Sequence, residues 1–110
     1  MSLRIEKINQ LIKELLGEIV SKNLSFKEGV FVTLTKVDTS SDLRYTRVFF
    51  SVFPESETGY VGKALKNGLY SIQGDLNRKL HMKPLPKLDF RLDDTEVKAD
   101  EIERLLKGLR

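Results

Sequence analysis

The chain reads as an α+β fold with a three-stranded sheet, and two observations predict it. Apolar residues recur at helical spacing as far as Val20, alternate at period two between Val30 and Val52, and return to helical spacing from Val61. Pro84 and Pro86 then precede another alternating run, KLDFRLD, and a last amphipathic stretch. The predicted order is helix, strand, strand, broken helix, strand, helix. A chain of 110 residues with 40% hydrophobic and 32% charged content suits a single domain, residues 1–110, built on one core.

The first helix rests on Ile5, Ile8, Leu11, Ile12, Leu15, Leu16, Ile19 and Val20, whose three- and four-residue steps form one apolar stripe. It is predicted from about Leu3 to Ser21, with the Ser2 hydroxyl as N-cap. VFVTLTKV, from Val30, is β-branched and alternating, with Val30, Val32 and Leu34 on one face and Phe31, Thr33 and Thr35 on the other. YTRVFFSVF repeats the pattern with Thr46, Val48, Phe50 and Val52 against Tyr45, Arg47 and Phe49. The polar DTSSD between them favours a turn, so the two strands form an antiparallel hairpin that Pro54 ends.

From Tyr60 to Lys83 the apolar residues Val61, Leu65, Leu69, Ile72, Leu76 and Leu80 fall within roughly a 100° arc at helical spacing. Lys63, Lys66, Asn67, Tyr70, Gly74, Asn77, Arg78 and His81 fall opposite. Glycines inside a helix cost about 1 kcal/mol each relative to alanine, and a break or kink is therefore expected at Gly68. The alternation of Leu88, Phe90 and Leu92 predicts the third strand. Asp93, Asp94 and Thr95 are N-cap candidates for a last helix carrying Ile102, Leu105 and Leu106.

The same Tyr60 to Lys83 segment concentrates the charge. Lys63, Lys66, Arg78, Lys79 and Lys83 against Asp75 give it +4, while the other residues, fourteen basic and fifteen acidic, sum to −1. A localised basic face on a balanced chain is the footprint of a polyanion binder, because each neutralised phosphate releases condensed counterions. A charged run on an amphipathic helix is otherwise just its solvated face. Here Tyr70, placed among basic and amide side chains, adds a ring on which an unpaired base can stack for roughly 1–3 kcal/mol. Arg44 and Arg47 extend the surface from the hairpin, and the acidic cluster of Asp93, Asp94, Glu96, Asp100, Glu101 and Glu103 is expected to face away from phosphates.

Other chemistry finds little footing. With no cysteine and His81 as sole histidine, neither a disulfide, a thiolate nucleophile, a catalytic triad nor a zinc site assembles. Gly62-Lys63 matches the end of a P-loop, but Glu57 stands where the first glycine belongs and Ala64 where the magnesium-binding hydroxyl does. Asp93-Asp94 is better suited to capping than to magnesium. No catalytic residue, metal or cofactor is expected. The N-terminal stretch interrupts its apolar residues with charges, unlike a signal peptide, and no run approaches the ~20 apolar residues that span a bilayer. A cytoplasmic protein without membrane association is expected.

Two blocks carry a resemblance to a known family. SSDLRYTRVFFSV, Ser40 to Val52, and LNRKLHMKPLPKLDFRLDD followed by ADEIERLL are similar in order and spacing to bacterial ribosome-binding factor A, over nearly the whole chain. That family has a type II KH-like fold, which implies two helices joined by a tight turn between the second and third strands. Where KH domains carry a Gly-x-x-Gly loop that clamps the nucleic-acid backbone, the family has an Ala-x-Gly kink. The equivalent position here reads Gly68-Leu69-Tyr70, and Asn77 replaces a glycine common nearer the basic end.

The resemblance implies a factor that binds the free 30S ribosomal subunit and its 16S rRNA and assists rRNA processing and late subunit maturation without covalent chemistry. The expected RNA-binding residues are Lys63, Lys66, Asn67, Gly68, Tyr70, Asn77, Arg78, Lys79, His81, Lys83, Arg44 and Arg47, in a monomer. A general KH-like module for single-stranded RNA is the alternative. A protein-interaction domain docking an acidic partner is a third reading.

Overall fold

A computed structural model of the chain describes residues 3–93. Its elements are α1 (Leu3–Asn23), β1 (Phe31–Thr39), β2 (Tyr45–Phe53), a short 3-10 turn (Glu55–Glu57), α2 (Thr58–Lys79) and β3 (Lys87–Leu92). The expected last helix, with Ile102, Leu105 and Leu106, lies outside the described residues, as does the Ser2 cap.

The sheet order is β1-β2-β3. β1 and β2 form the expected antiparallel hairpin, whereas β3 runs parallel to β2, with Thr46 opposite Leu88 and Val48 opposite Phe90. A parallel neighbour needs a crossover, and α2 supplies it. In β2 the alternation holds throughout: Thr46, Val48, Phe50 and Val52 face inward, and the residues between them face out. In β1 it changes phase. A bulge between Leu34 and Lys36 shifts the register, so Val32 and Leu34 point inward before it and Val37 and Thr39 after it. Thr35, at the bulge, donates its hydroxyl to Asp93 Oδ2 at 2.5 Å, tying it to the end of β3.

Both helices lie on the inward side of the sheet. Ile12, Leu16, Ile19 and Val20 of α1 and Val61, Leu65, Ile72 and Leu76 of α2 join Val48, Phe50, Val52 and Leu88 in one buried cluster. The break expected at Gly68 is absent: α2 is one helix over Thr58–Lys79, not a pair joined by a turn. Burying each large apolar side chain is worth about 1.5–3 kcal/mol, and four buried positions outweigh the ~1 kcal/mol cost of a glycine. Gly68 instead permits a close approach. A Cβ there would sit 2.9 Å from Leu24 Cδ2, in the segment that leaves α1.

Polar contacts complete the frame. Asn9 Oδ1 accepts the Thr39 amide at 3.0 Å, fixing α1 to the end of β1. The buried hydroxyls of Thr39 and Thr46 bond to each other at 2.9 Å across the hairpin. Gln73 of α2 uses both ends of its amide: Nε2 donates to the Pro86 carbonyl and Oε1 accepts the Leu88 amide, each at 2.9 Å. Those bonds set where β3 begins.

Two stability tests follow from this packing. Thr46→Val leaves the buried Thr39 hydroxyl unpaired and is expected to cost about 1–3 kcal/mol, much of it recovered in Thr39→Val/Thr46→Val, as read by urea unfolding. Gly62→Ala, where a Cβ meets nothing within 4 Å, is expected to stabilise by about 0.5–1 kcal/mol. Gly68→Ala gains less in the same assay, because Leu24 must turn aside.

Candidate nucleic-acid interface

α2 buries one side against the core, and its other side is the only place its charges can go. Lys63, Lys66, Asn67 and Tyr70 are all exposed, Tyr70 to 92%. Lys63 and Lys66 stand three residues apart, hence one turn from each other. Among the described residues no carboxylate pairs with either. Tyr70, Gly74, Asn77 and Arg78 line one shallow depression on the same helix. On its β3 flank, Lys66 overlooks an apolar groove formed with Leu69, Leu88 and Phe90.

The rest of the expected set is dispersed or already engaged. Arg78 is paired with Asp75, which also accepts from Asn23 Nδ2 at 2.8 Å and so clamps α2 to the end of α1. The Asn23 amide first, and the Arg78 guanidinium with it, hold the Asp75 carboxyl below its ordinary range. Asn77 is half-buried and accepts from Gln73, acting in the β3 anchor. Gly68 faces Leu24 rather than solvent, so it offers no flexible loop to a ligand. Lys79 turns toward α1, 4.0 Å from Glu18. His81 and Lys83 are exposed beyond the helix end.

Arg44 and Arg47 do not join α2. Arg47 sits on the outward face of the sheet, bonded to Asp38 at 2.7 Å, and Arg44 lies at the hairpin corner, 4.0 Å from Asp42. Arg4 and Lys7, not expected from the sequence to take part, line a groove with Lys79 and His81 at the meeting of α1 and α2. More than seventy residues separate the two pairs, and only the packing of one helix on the other brings them together. Among the described residues no group of three or more acidic or histidine side chains is placed to hold a metal. Nor, among them, is any helix long and apolar enough to cross a membrane.

The comparison with known proteins decides the family. The family model described as "Ribosome-binding factor A" matches residues 4–106. The chain belongs to the ribosome-binding factor A family. It is similar to ribosome-binding factor A of Dictyoglomus thermophilum, with 32% identity over 111 residues covering 99% of this chain and 92% of that protein. The Pelodictyon phaeoclathratiforme ribosome-binding factor A is also 32% identical, over 113 residues, covering 100% and 94%.

Structures agree with the sequence match. The crystal structure of ribosome-binding factor A from Thermus thermophilus superimposes with a TM-score of 0.66 at 22% identity, covering 80% of this chain and 93% of that one, a likeness of fold. A Thermus thermophilus ribosome-binding factor A homology model, as fitted into a cryo-EM map of a 30S complex, gives a TM-score of 0.64 at 26% identity and covers 77% and 90%. The type II KH-like α+β expectation thus stands, with the helix pair of the resemblance replaced here by the single α2.

The Asp75 clamp has a measurable consequence. Its carboxylate is favoured in the folded chain, so its contribution is present above the ordinary value of 3.8 and is lost as pH falls through the lower folded value. NMR titration is expected to place Asp75 below 3.8, and Asn23→Ala to move it upward.

Proposed function

We propose that this chain binds the free 30S ribosomal subunit through its 16S rRNA, as a cytoplasmic monomer, and assists rRNA processing and late maturation of the subunit by binding alone. The carrying observation is the pair Lys63 and Lys66, exposed and free of carboxylate partners among the described residues, beside the open Tyr70 ring. The family membership and the 30S complex of a Thermus thermophilus relative supply the partner.

In this mechanism the two lysines provide electrostatic attachment to phosphates, and the rigid helix face selects RNA by shape. Arg78 contributes less, since binding a phosphate means giving up Asp75. No covalent step is called for: the factor favours one rRNA conformation by differential affinity and leaves when the mature one no longer fits it. A general single-stranded RNA-binding role is the second reading, favoured by the 92% exposure of Tyr70, which suits an unpaired base.

Sedimentation with free small subunits tests the reading. The parent is expected to co-migrate with them, and Lys63→Glu/Lys66→Glu to remain at the top of the gradient with an unchanged circular dichroism spectrum. In RNA titrations Lys63→Ala/Lys66→Ala should lower the log–log salt slope by about two, one for each phosphate no longer neutralised. Arg78→Ala should matter less than either lysine. Tyr70→Ala leaves the slope intact and weakens unpaired RNA, if bases stack there. Full co-migration of the glutamate variant would move the site away from α2.

A further inference from the structure

With α1 and α2 on one side of the sheet, no element among the described residues covers the other side. There β2 presents Tyr45, Arg47, Phe49, Ser51 and Phe53, with Phe31 opposite Phe53, Lys36 opposite Phe49 and Lys87 opposite Tyr45. Tyr45, Phe31 and Phe53 are 57%, 65% and 69% exposed. Folded monomers rarely leave clustered apolar surface in water unless something binds it. The charge around the rings indicates what.

The carboxylates on this face are already engaged: Asp38 with Arg47 at 2.7 Å, Asp89 with Arg91 at 2.9 Å, and Asp93 with the Thr35 hydroxyl at 2.5 Å. Lys36 and Lys87 have no carboxylate partner among the described residues, and the Lys36 ammonium lies 5.9 Å from the centre of the Phe49 ring. Lys36, Arg47, Lys87 and Arg91 against Asp38, Asp89 and Asp93 leave the described residues of this face at +1. A second copy docked here by two-fold symmetry would set that excess against itself. Unpaired RNA satisfies both features, because bases stack on rings while phosphates meet lysines.

We propose that the open sheet face is a second RNA-binding surface, specific for single-stranded RNA, with bases on Tyr45 and on the Phe31–Phe53 pair and phosphates at Lys36 and Lys87. Tyr45 and Phe53 are eight residues apart on one strand, roughly 26 Å, and Phe49 lies midway, so the surface spans several nucleotides. This surface is separate from α2 and goes beyond the role proposed for that helix. It also gives the ring-bearing strand a task that α2 cannot perform, since of the α2 rings Tyr60 is packed against Phe26 and Lys27 and Tyr70 alone stands clear.

The test is a fluorescence-anisotropy titration of a labelled adenylate dodecamer, run in the full chain and in the Lys63→Ala/Lys66→Ala/Tyr70→Ala background, which removes the two lysines and the ring assigned to α2. Tyr45→Ala and Phe53→Ala should each weaken binding about tenfold in that background with the salt slope unchanged. Phe53→Tyr, which keeps a stacking ring, should bind like its parent. Lys36→Ala/Lys87→Ala should lower the slope by about two. Alanine variants that bind like their parent while melting normally would overturn the proposal, whether or not the α2 variants behave as expected. A parent that sediments as a dimer, separated by Phe53→Ala, would overturn it in favour of a second copy.

Discussion

Everything outward on this molecule depends on what α2 must hide. Val61, Leu65, Ile72 and Leu76 are sealed between α1 and the sheet, and a helix with one sealed face has its remaining side chains assigned by rotation alone. Lys63, Lys66 and Tyr70 are exposed for that reason. The same burial carries the helix through Gly68, where propensity favours a break, and turns the glycine to use as the gap into which Leu24 fits. Gln73 then converts the helix into a template for β3, holding Pro86 and Leu88 with the two ends of one amide.

Charge counted along a chain overstates what a ligand meets. The basic segment carries +4, yet Arg78 is bound to Asp75 and Lys79 lies near Glu18, so the positive charge of the helix itself without a carboxylate partner among the described residues contracts to two lysines. Exposed pairs of this kind add little to stability. Their effect is on function, because a cation that must first release a carboxylate is a weaker site for phosphate. The groove shared by Arg4, Lys7, Lys79 and His81 adds positive charge of another kind, assembled from both ends of the described chain.

The two sides of the sheet show one strand meeting two demands. Along β2 every second residue is buried, and the period-two geometry sends Tyr45, Arg47, Phe49 and Phe53 to the opposite side. The bulge in β1 keeps that division consistent after an odd step: without it Val37 and Thr39 would face water and the buried Thr39–Thr46 hydroxyl bond could not form.

Sequence by itself determined the elements with a strong apolar period. The α1 stripe, the inward set Thr46, Val48, Phe50 and Val52, the hairpin turn and the apolar arc of α2 follow from local spacing, because burial acts on each element's own periodicity. The exposure of Lys63, Lys66 and Tyr70 follows with them. Tertiary structure alone decided the continuity of α2, the parallel pairing of β3, the bulge, and the diversion of Gly68, Asn77, Arg78 and Lys79 from a ligand face to packing and pairing. Apart from the local pairs of Arg78 with Asp75 and Asn77 with Gln73, these turn on interactions between residues distant in the chain, such as Gly68 with Leu24, Gln73 with Leu88, Asn23 with Asp75 or Thr35 with Asp93. Local propensity carries no information about a partner fifty residues away, and a preference worth about 1 kcal/mol yields to the packing that partner provides.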